Sequence, residues 1–421
     1  LDEYLTDAGG PRGISQLEIL KHIMDRLNDN ADGAVTKRPC EVFAMIGGTG
    51  TGGLIAVFLA VLKMTADEAL ETFADVINKV FKDTSPNPTM QTEKLKKVVN
   101  EILAKHHVPL DTKLVPANGA PPTCRLYIPI VDKKNTGTPI ILTNYGDPRG
   151  PPVKLTIAEA MLATCASPPM FSPVEVIKDF GTVEFISADL GFCNPVRETI
   201  EGAHSAFGDE TTVICVLSVG CGNLGANVAP GNSQANALIT FLKRIALDGE
   251  RKAQEVSSQM EKLSLYHRFS VAYGIEISQD ESWKDLEDIS AHTLNYLIDE
   301  EVARTVNHCI TTLKDGIGST TLEQLSMFVS VFFVDGSSNE SIKRELTEHV
   351  RALGGAHSQK SFEECMKFLS LPTQGGERLL VIDNVDNPNL NISAFLPKWK
   401  RGAVIITSRN STHGQLSPMS H

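Results

Sequence analysis

The six residues Gly48-Thr49-Gly50-Thr51-Gly52-Gly53 constrain the fold of this chain more than any other segment. They join an apolar run, Val42 to Ile46, short enough for a buried strand, to an apolar helical stretch from Leu54 to Leu62. A strand that bends into a helix within so few residues needs small side chains around the bend, and the central residue, Gly50, then stands at its tip. Elsewhere, too, strand and helix signals alternate, which predicts an α/β fold.

Ser15 to Leu27 has helical periodicity, and Leu70, Phe73, Ile77 and Phe81 share one face of another helix. Thr65 with Glu68, and Thr156 with Glu159, have the spacing of capping boxes. Val183 to Ile186 and Val213 to Val219 read as buried strands, and Ser233 to Leu263 as a long charged helix, with short elements around Trp283. A boundary is expected where Asp315-Gly316-Ile317-Gly318 interrupts the helical pattern, giving domains 1–312 and 313–421. Beyond it, Met327 to Val334, Leu379 to Ile382 and Gly402 to Thr407 predict strands, and Ser341 to Leu353 a helix, in a second, smaller α/β unit.

The chain has 421 residues and a net charge of −12. That acidic balance argues against a nucleic-acid partner and against long-range attraction to anionic membranes. It leaves room for peripheral membrane contact through a local apolar rim. No apolar run approaches the roughly 18 residues a membrane-spanning helix needs. The eight cysteines form no CxxC pair and have no histidine at metal-ligand spacing. They predict free thiols in a reducing, cytoplasmic setting and no metal site.

Two further segments accompany the turn. Asp7-Ala8-Gly9-Gly10-Pro11-Arg12-Gly13 is a glycine-rich loop opening a helix, where backbone N–H groups can hold developing negative charge. Asp189 follows a strand and is itself followed by Gly191, Asn194 and Pro195. Together the three segments resemble the patatin-like phospholipase family, with its Asp-Gly-Gly-Gly-x-Arg-Gly, Gly-x-Ser-x-Gly and Asp-Gly-Gly/Ala motifs in that order. The resemblance extends to Ala163 through Phe171 and to Leu217 through Gly222, and covers residues 1 to about 312. It implies an α/β/α layered sheet and a Ser–Asp dyad that cleaves acyl esters of lipids without a cofactor. Gly50 falls on the nucleophile position and Asp189 on the general base; Gly9, Gly10, Arg12 and Gly13 fall on the oxyanion loop.

The departures bear directly on chemistry. Gly50 has no oxygen to acylate, and loss of such a nucleophile costs on the order of 10⁶ in turnover. Ala8 stands where the family has glycine, Pro11 removes one backbone N–H, and Leu190 interrupts the Asp-Gly pair. Glycine spares the fold, because elbow residues are held at strained dihedrals.

In the second unit, Leu379 to Asp383 is an apolar strand ending in acid, the pattern that positions Mg²⁺ in P-loop NTPases. A strand leading to Arg409 follows, where a γ-phosphate sensor sits. The pair resembles the NB-ARC nucleotide-binding domain, which follows a patatin domain in some fungal proteins. Gly318 and Thr320 fall on its phosphate loop, but Ser319 replaces the lysine and Leu313 the first glycine. ATP or ADP with Mg²⁺ is therefore a weakened expectation for a partial P-loop-like segment.

The leading expectation is a patatin-like lipid acyl hydrolase homologue, catalytically impaired and acting as a lipid-binding or signalling module. The alternative is an active phospholipase A or lipid acyl hydrolase, with Gly50 an engineered or erroneous residue. A working NTPase switch is the third reading. In either of the first two, the ligand is a lipid or fatty-acyl ester.

Overall fold

The central strand of the first unit is one that its own sequence conceals. In the computed structural model, Asp2–Thr6 forms strand β1, with two acidic residues where a strand covered on both faces ordinarily reads as continuously apolar. Glu3 in its middle is fully buried. The structure describes residues 1–29, 36–82, 85, 87–117, 121–146, 154–178, 181–208, 210–222, 249–260, 265–271, 286–318, 320–322, 330–352, 360–370, 378–387, 390–397 and 403–408. The chain divides into two units, Leu1–Thr321 and Leu322–His421.

In chain order the strands after β1 are β2 (Met45–Gly48), β3 (Arg125–Asp132), β4 (Asn135–Leu142), β5 (Val174–Lys178) and β6 (Gly181–Ser187). Then come β7 (Thr212–Val213), β8 (Cys215–Val219), β9 (Tyr266–Phe269) and β10 (Thr320–Thr321). One sheet runs β5-β6-β3-β2-β1-β8-β9, with β4 on β3. Its five strands from β3 to β9 are parallel, and β4, β5 and β6 extend one side in antiparallel fashion. This is a mixed α/β fold with a mostly parallel central sheet.

Helices cover both faces. The register puts Tyr4, Leu217 and His267 on one face, and Glu3, Val216 and Tyr266 on the other. The helix Thr51–Ala60 is apolar all round, and all ten of its residues are buried, as such a helix must be. It packs on β2 and β3 and is itself covered by the helix Ile157–Cys165.

Local signals set several boundaries. Thr65 and Glu68 exchange both capping-box bonds at 2.8 and 3.1 Å, and Thr156 and Glu159 do so at 2.6 and 3.1 Å. Val42 closes a helical turn, Pro39–Val42, instead of opening the strand. Proline suits a first helical turn, and the Glu41 carboxylate accepts the Arg38 N–H at 2.7 Å. The run Val213 to Val219 is likewise divided. Thr212–Val213 pairs antiparallel with β10, while Cys215–Val219 continues parallel to β1.

The helix Glu300–Asp315 passes through residue 312 and stops at Gly316. There a left-handed glycine, φ 62°, donates its N–H to Thr312 O at 3.2 Å. Of the charged helix expected at 233–263, Gly249–Met260 is described. Trp283, Ser319 and Arg409 lie outside the described residues. No helix among the described residues is long and apolar enough to cross a membrane.

The second unit is a parallel sheet of β11 (Ser330–Asp335), β12 (Arg378–Asp383) and β13 (Ala403–Ile406), in that order. The helices Asn339–Ala352 and Phe362–Ser370 accompany it. Phe332, Val334, Ile342, Leu346, Leu380 and Ile382 form its core.

Candidate functional site

Strand order reverses at β1, whose neighbours are β2 on one side and β8 on the other. Open α/β sheets place ligands beyond the carboxyl ends of strands at such a reversal. Here the ends of β1 and β2 lead into the glycine loop and the Gly50 turn.

Gly50 adopts φ 60° and ψ −129°, a conformation that side-chain-bearing residues rarely take. The turn is held on three sides. Thr6 Oγ1 donates to Gly52 O at 2.9 Å, Thr49 N–H to Thr6 O at 3.2 Å, and Thr164 Oγ1 to Gly50 O at 3.0 Å. Gly52 must be glycine because a Cβ there would lie 2.6 Å from Asp7 O. A Cβ on Gly50 would point at Asp189, 3.8 Å from its Cβ, and would meet Ala8 Cβ at 3.0 Å.

The glycine loop is tied to the same turn. Thr51 Oγ1 accepts the Gly9 N–H at 3.4 Å and donates to Gly10 O at 3.2 Å. Ala8 N–H goes to Cys193 O at 2.9 Å, and proline at 11 has no N–H. Gly10, with φ 58°, keeps an N–H that has no acceptor among the described residues. It is the loop's available anion donor. Arg12 is buried; its Nε donates to Gly9 O at 3.4 Å, and its Nη1 has no partner among the described residues. Gly13 serves packing, since a Cβ there would come 2.7 Å from the Phe73 ring.

Asp189 reaches the elbow because β3 overruns β2. Gly47 pairs with Tyr127, but Ser187 pairs with Ile130, farther along β3, so the chain after β6 returns to the level where β2 ends. Asp189 is buried, and its Oδ1 accepts the Leu190 N–H at 3.0 Å. Burial raises its pKa above the ordinary value, while hydrogen bonds from the Ser167 hydroxyl and the Leu190 N–H pull it back. Leu190, beside it, is 45% exposed and offers apolar surface at the mouth of the site.

Gly50, Asp189, Gly9 and Gly10 are thus brought together. The arrangement has a base and an anion donor, but no hydroxyl at the tip. Thr51 is engaged with the loop, and Thr49 is fully buried with its Oγ1 unpartnered. No motif marks the residue that anchors the loop from beneath. Arg268 on β9 grips Asp7 with Nη1 to Oδ1 at 3.1 Å and Nη2 to Oδ2 at 2.6 Å. It also donates to Ser218 Oγ at 2.9 Å and to Glu250 at 3.3 Å.

The segment expected as a phosphate loop is preceded by a helix. A P-loop runs strand, loop, helix, whereas here a helix ends at Asp315, Gly316 caps it, and Thr320 enters β10. Gly318 and Thr320 belong to the first unit, where a Cβ on Gly318 would lie 2.4 Å from Thr212. Asp383 ends β12 in the second unit, hydrogen-bonded by the Thr407 hydroxyl. It lines a cavity of about 560 Å³ with Asp335, Glu345, Asn384, Asp386, Thr407 and Ser408. That lining carries four carboxylates and, among the described residues, no cationic side chain to receive a phosphate.

Comparison with known proteins bears on the first unit. No curated protein matches the chain. Two solved structures share a loose likeness. VipD from Legionella pneumophila is 9% identical, with a TM-score of 0.34 over 88% of this chain and 80% of that one. The ExoU-SpcU complex from Pseudomonas aeruginosa gives 11% identity and a TM-score of 0.22 over 88% of this chain and 66% of that one. The family model of the patatin-like phospholipases matches residues 6–199, a span that begins in β1 and includes the glycine loop, the Gly50 turn and Asp189. Over residues 6–199 this chain is therefore similar to the patatin-like phospholipases.

Proposed function

We propose that the first unit is a lipid acyl hydrolase homologue that binds a lipid or fatty-acyl ester without cleaving it, as a lipid-binding or signalling module. The reading takes the patatin-like part beyond residue 199, because β8 and β9 belong to the same sheet as β1 and β2. One observation carries it. The Ala8 methyl borders the space that a side chain at residue 50 would need, only 3.0 Å from its Cβ. A serine site changed at one residue alone would keep that space clear. Two departures that fit each other support a site settled without a nucleophile. Asp189 and the Gly10 N–H remain as polar groups for an ester carbonyl or headgroup, and Leu190 as an apolar contact.

The test is the pair Ala8→Gly/Gly50→Ser assayed with fatty-acyl p-nitrophenyl esters and phospholipid vesicles. In that variant the introduced hydroxyl attacks the carbonyl carbon while Asp189 takes its proton, and the Gly10 N–H meets the oxyanion. Collapse expels the alcohol, which receives the proton. Water then adds to the acyl-enzyme by the same route and releases the acid. The parent chain is expected to show no turnover and the pair to show it. Hydrolysis by the parent at comparable rate would overturn the proposal.

A further inference from the structure

On the face of the sheet bearing Tyr4, Leu217 and His267, three metal-binding side chains from three separate elements converge. They are Cys215 at the start of β8, His267 on β9, and Cys309 on the helix Glu300–Asp315. Their ligating atoms all lie within 4.8 Å of one another. Cys215 and Cys309 are fully buried and His267 is 4% exposed. Neither thiol is in a disulfide. The imidazole Nε2 is buried and has no hydrogen-bond partner among the described residues. Asp2, opposite Cys215 in register, has a buried Oδ1 that is also without one.

Leaving such groups unpaired costs about 1–3 kcal/mol each, and ordinary packing gives no reason to gather them. A metal ion would satisfy them together. We infer that Cys215, His267 and Cys309 form a structural site for a thiolate-preferring divalent cation, zinc foremost, which fastens the helix Glu300–Asp315 to β8 and β9.

The chemistry of the donor set fits. Two thiolates and one imidazole suit zinc, and two thiolate charges cancel the ion's, so a neutral unit lies in a buried place. Tetrahedral bonds of about 2.3 Å to sulfur and 2.0 Å to nitrogen set ligand atoms roughly 3.5–3.8 Å apart, a small contraction from the present spacing. A neutral water completes the fourth position. His308, exposed, packs its ring 5.2 Å from that of His267 and marks a path from solvent. Cys215 opens β8, whereas the candidate site adjoins the far ends of β1 and β2, so the ion's role is support and not ester chemistry. The three residues are too far apart in sequence to form any local metal motif.

The test uses the full chain, purified in reductant and stripped with a chelator, then titrated with cobalt(II) and zinc(II). One cobalt per chain is expected, with thiolate-to-cobalt charge-transfer absorption and tetrahedral visible bands that zinc displaces. Zinc should raise the Tm of the parent. Cys309→Ser and His267→Gln should lose the charge-transfer signal or weaken binding at least tenfold, while Cys365→Ser keeps both. Three results would overturn the inference. They are no charge-transfer band in the folded parent, cobalt uptake indifferent to Cys309→Ser and His267→Gln, or a Cys215–Cys309 disulfide that persists in the reduced protein. The parent's own spectrum decides the matter even if a variant fails to fold.

Discussion

Ala8 Cβ lies 3.0 Å from where a Cβ on Gly50 would be, so residues 8 and 50 cannot both carry a relaxed side chain. Gly50→Ser alone meets this contact and a φ of 60°. It is expected to destabilise the fold by about 1–3 kcal/mol. Ala8→Gly should recover part of that loss. A double-mutant cycle on chemical denaturation should give a coupling of roughly 0.5–3 kcal/mol. Additivity of the two changes would mean that the contact is relieved without cost.

Asp189 supplies a pH prediction. Burial raises its pKa, and it must be ionised to accept a proton. In the Ala8→Gly/Gly50→Ser background, kcat/KM should therefore climb with pH through a limb above the ordinary Asp value of about 4. Asp189→Asn in that background should cost about 10²–10⁴-fold. A profile flat from pH 4 to 8, or an active Asn variant, would assign the proton to another group.

Arg268 should matter to stability well out of proportion to its distance from the turn. Arg268→Met strands the Asp7 carboxylate, and breaking a buried pair from one side costs about 3–5 kcal/mol. Asp7→Asn/Arg268→Met should be less destabilised than Arg268→Met, because the buried carboxylate is gone and Glu250, which also loses Arg268, is partly exposed. Urea denaturation of the set checks this; equal losses in the two variants would show that the pairing itself is unimportant.

Glu3 makes stability fall as pH rises. Burial lifts its pKa from 4.5 to about 8. Between those values the folded protein keeps a proton that the unfolded chain has released, so unfolding becomes easier with each pH unit. Glu3→Gln removes that slope. Its Tm advantage over the parent should be larger at pH 8 than at pH 5, by the equivalent of a few kcal/mol. An advantage unchanged across this range would place the titration elsewhere.

What the sequence disclosed was what short-range chemistry decides. Thr65 with Glu68 and Thr156 with Glu159 bond three residues apart, and the Gly50 turn announces itself through consecutive glycines between apolar runs. Asp189 was legible only through the resemblance, since an acid after a strand is ordinary, and its approach to the turn depends on β3 overrunning β2. Nothing local distinguishes Arg268, Cys215 or Cys309, which acquire partners through strand register and helix packing. β1 was hidden by Asp2 and Glu3, whose charges mimic a solvated segment. Gly318 and Thr320 are ambiguous for the opposite reason. A helix cap and a phosphate loop both need glycine, and only the order of the flanking elements separates them.

The position of β1 also bears on how the molecule is made. Asp2–Thr6 leaves the ribosome well ahead of β8, which ends at Val219, yet it is flanked by β2 on one side and by β8 on the other. All the chain between Thr6 and Cys215 must therefore be synthesised before the middle of the sheet can gain its second neighbour. Until then one edge of β1 is open to any passing strand, and contacts so distant in sequence form slowly. The nascent chain thus has an extended interval in which shielding by a chaperone, or slower translation before β8, would decide its yield.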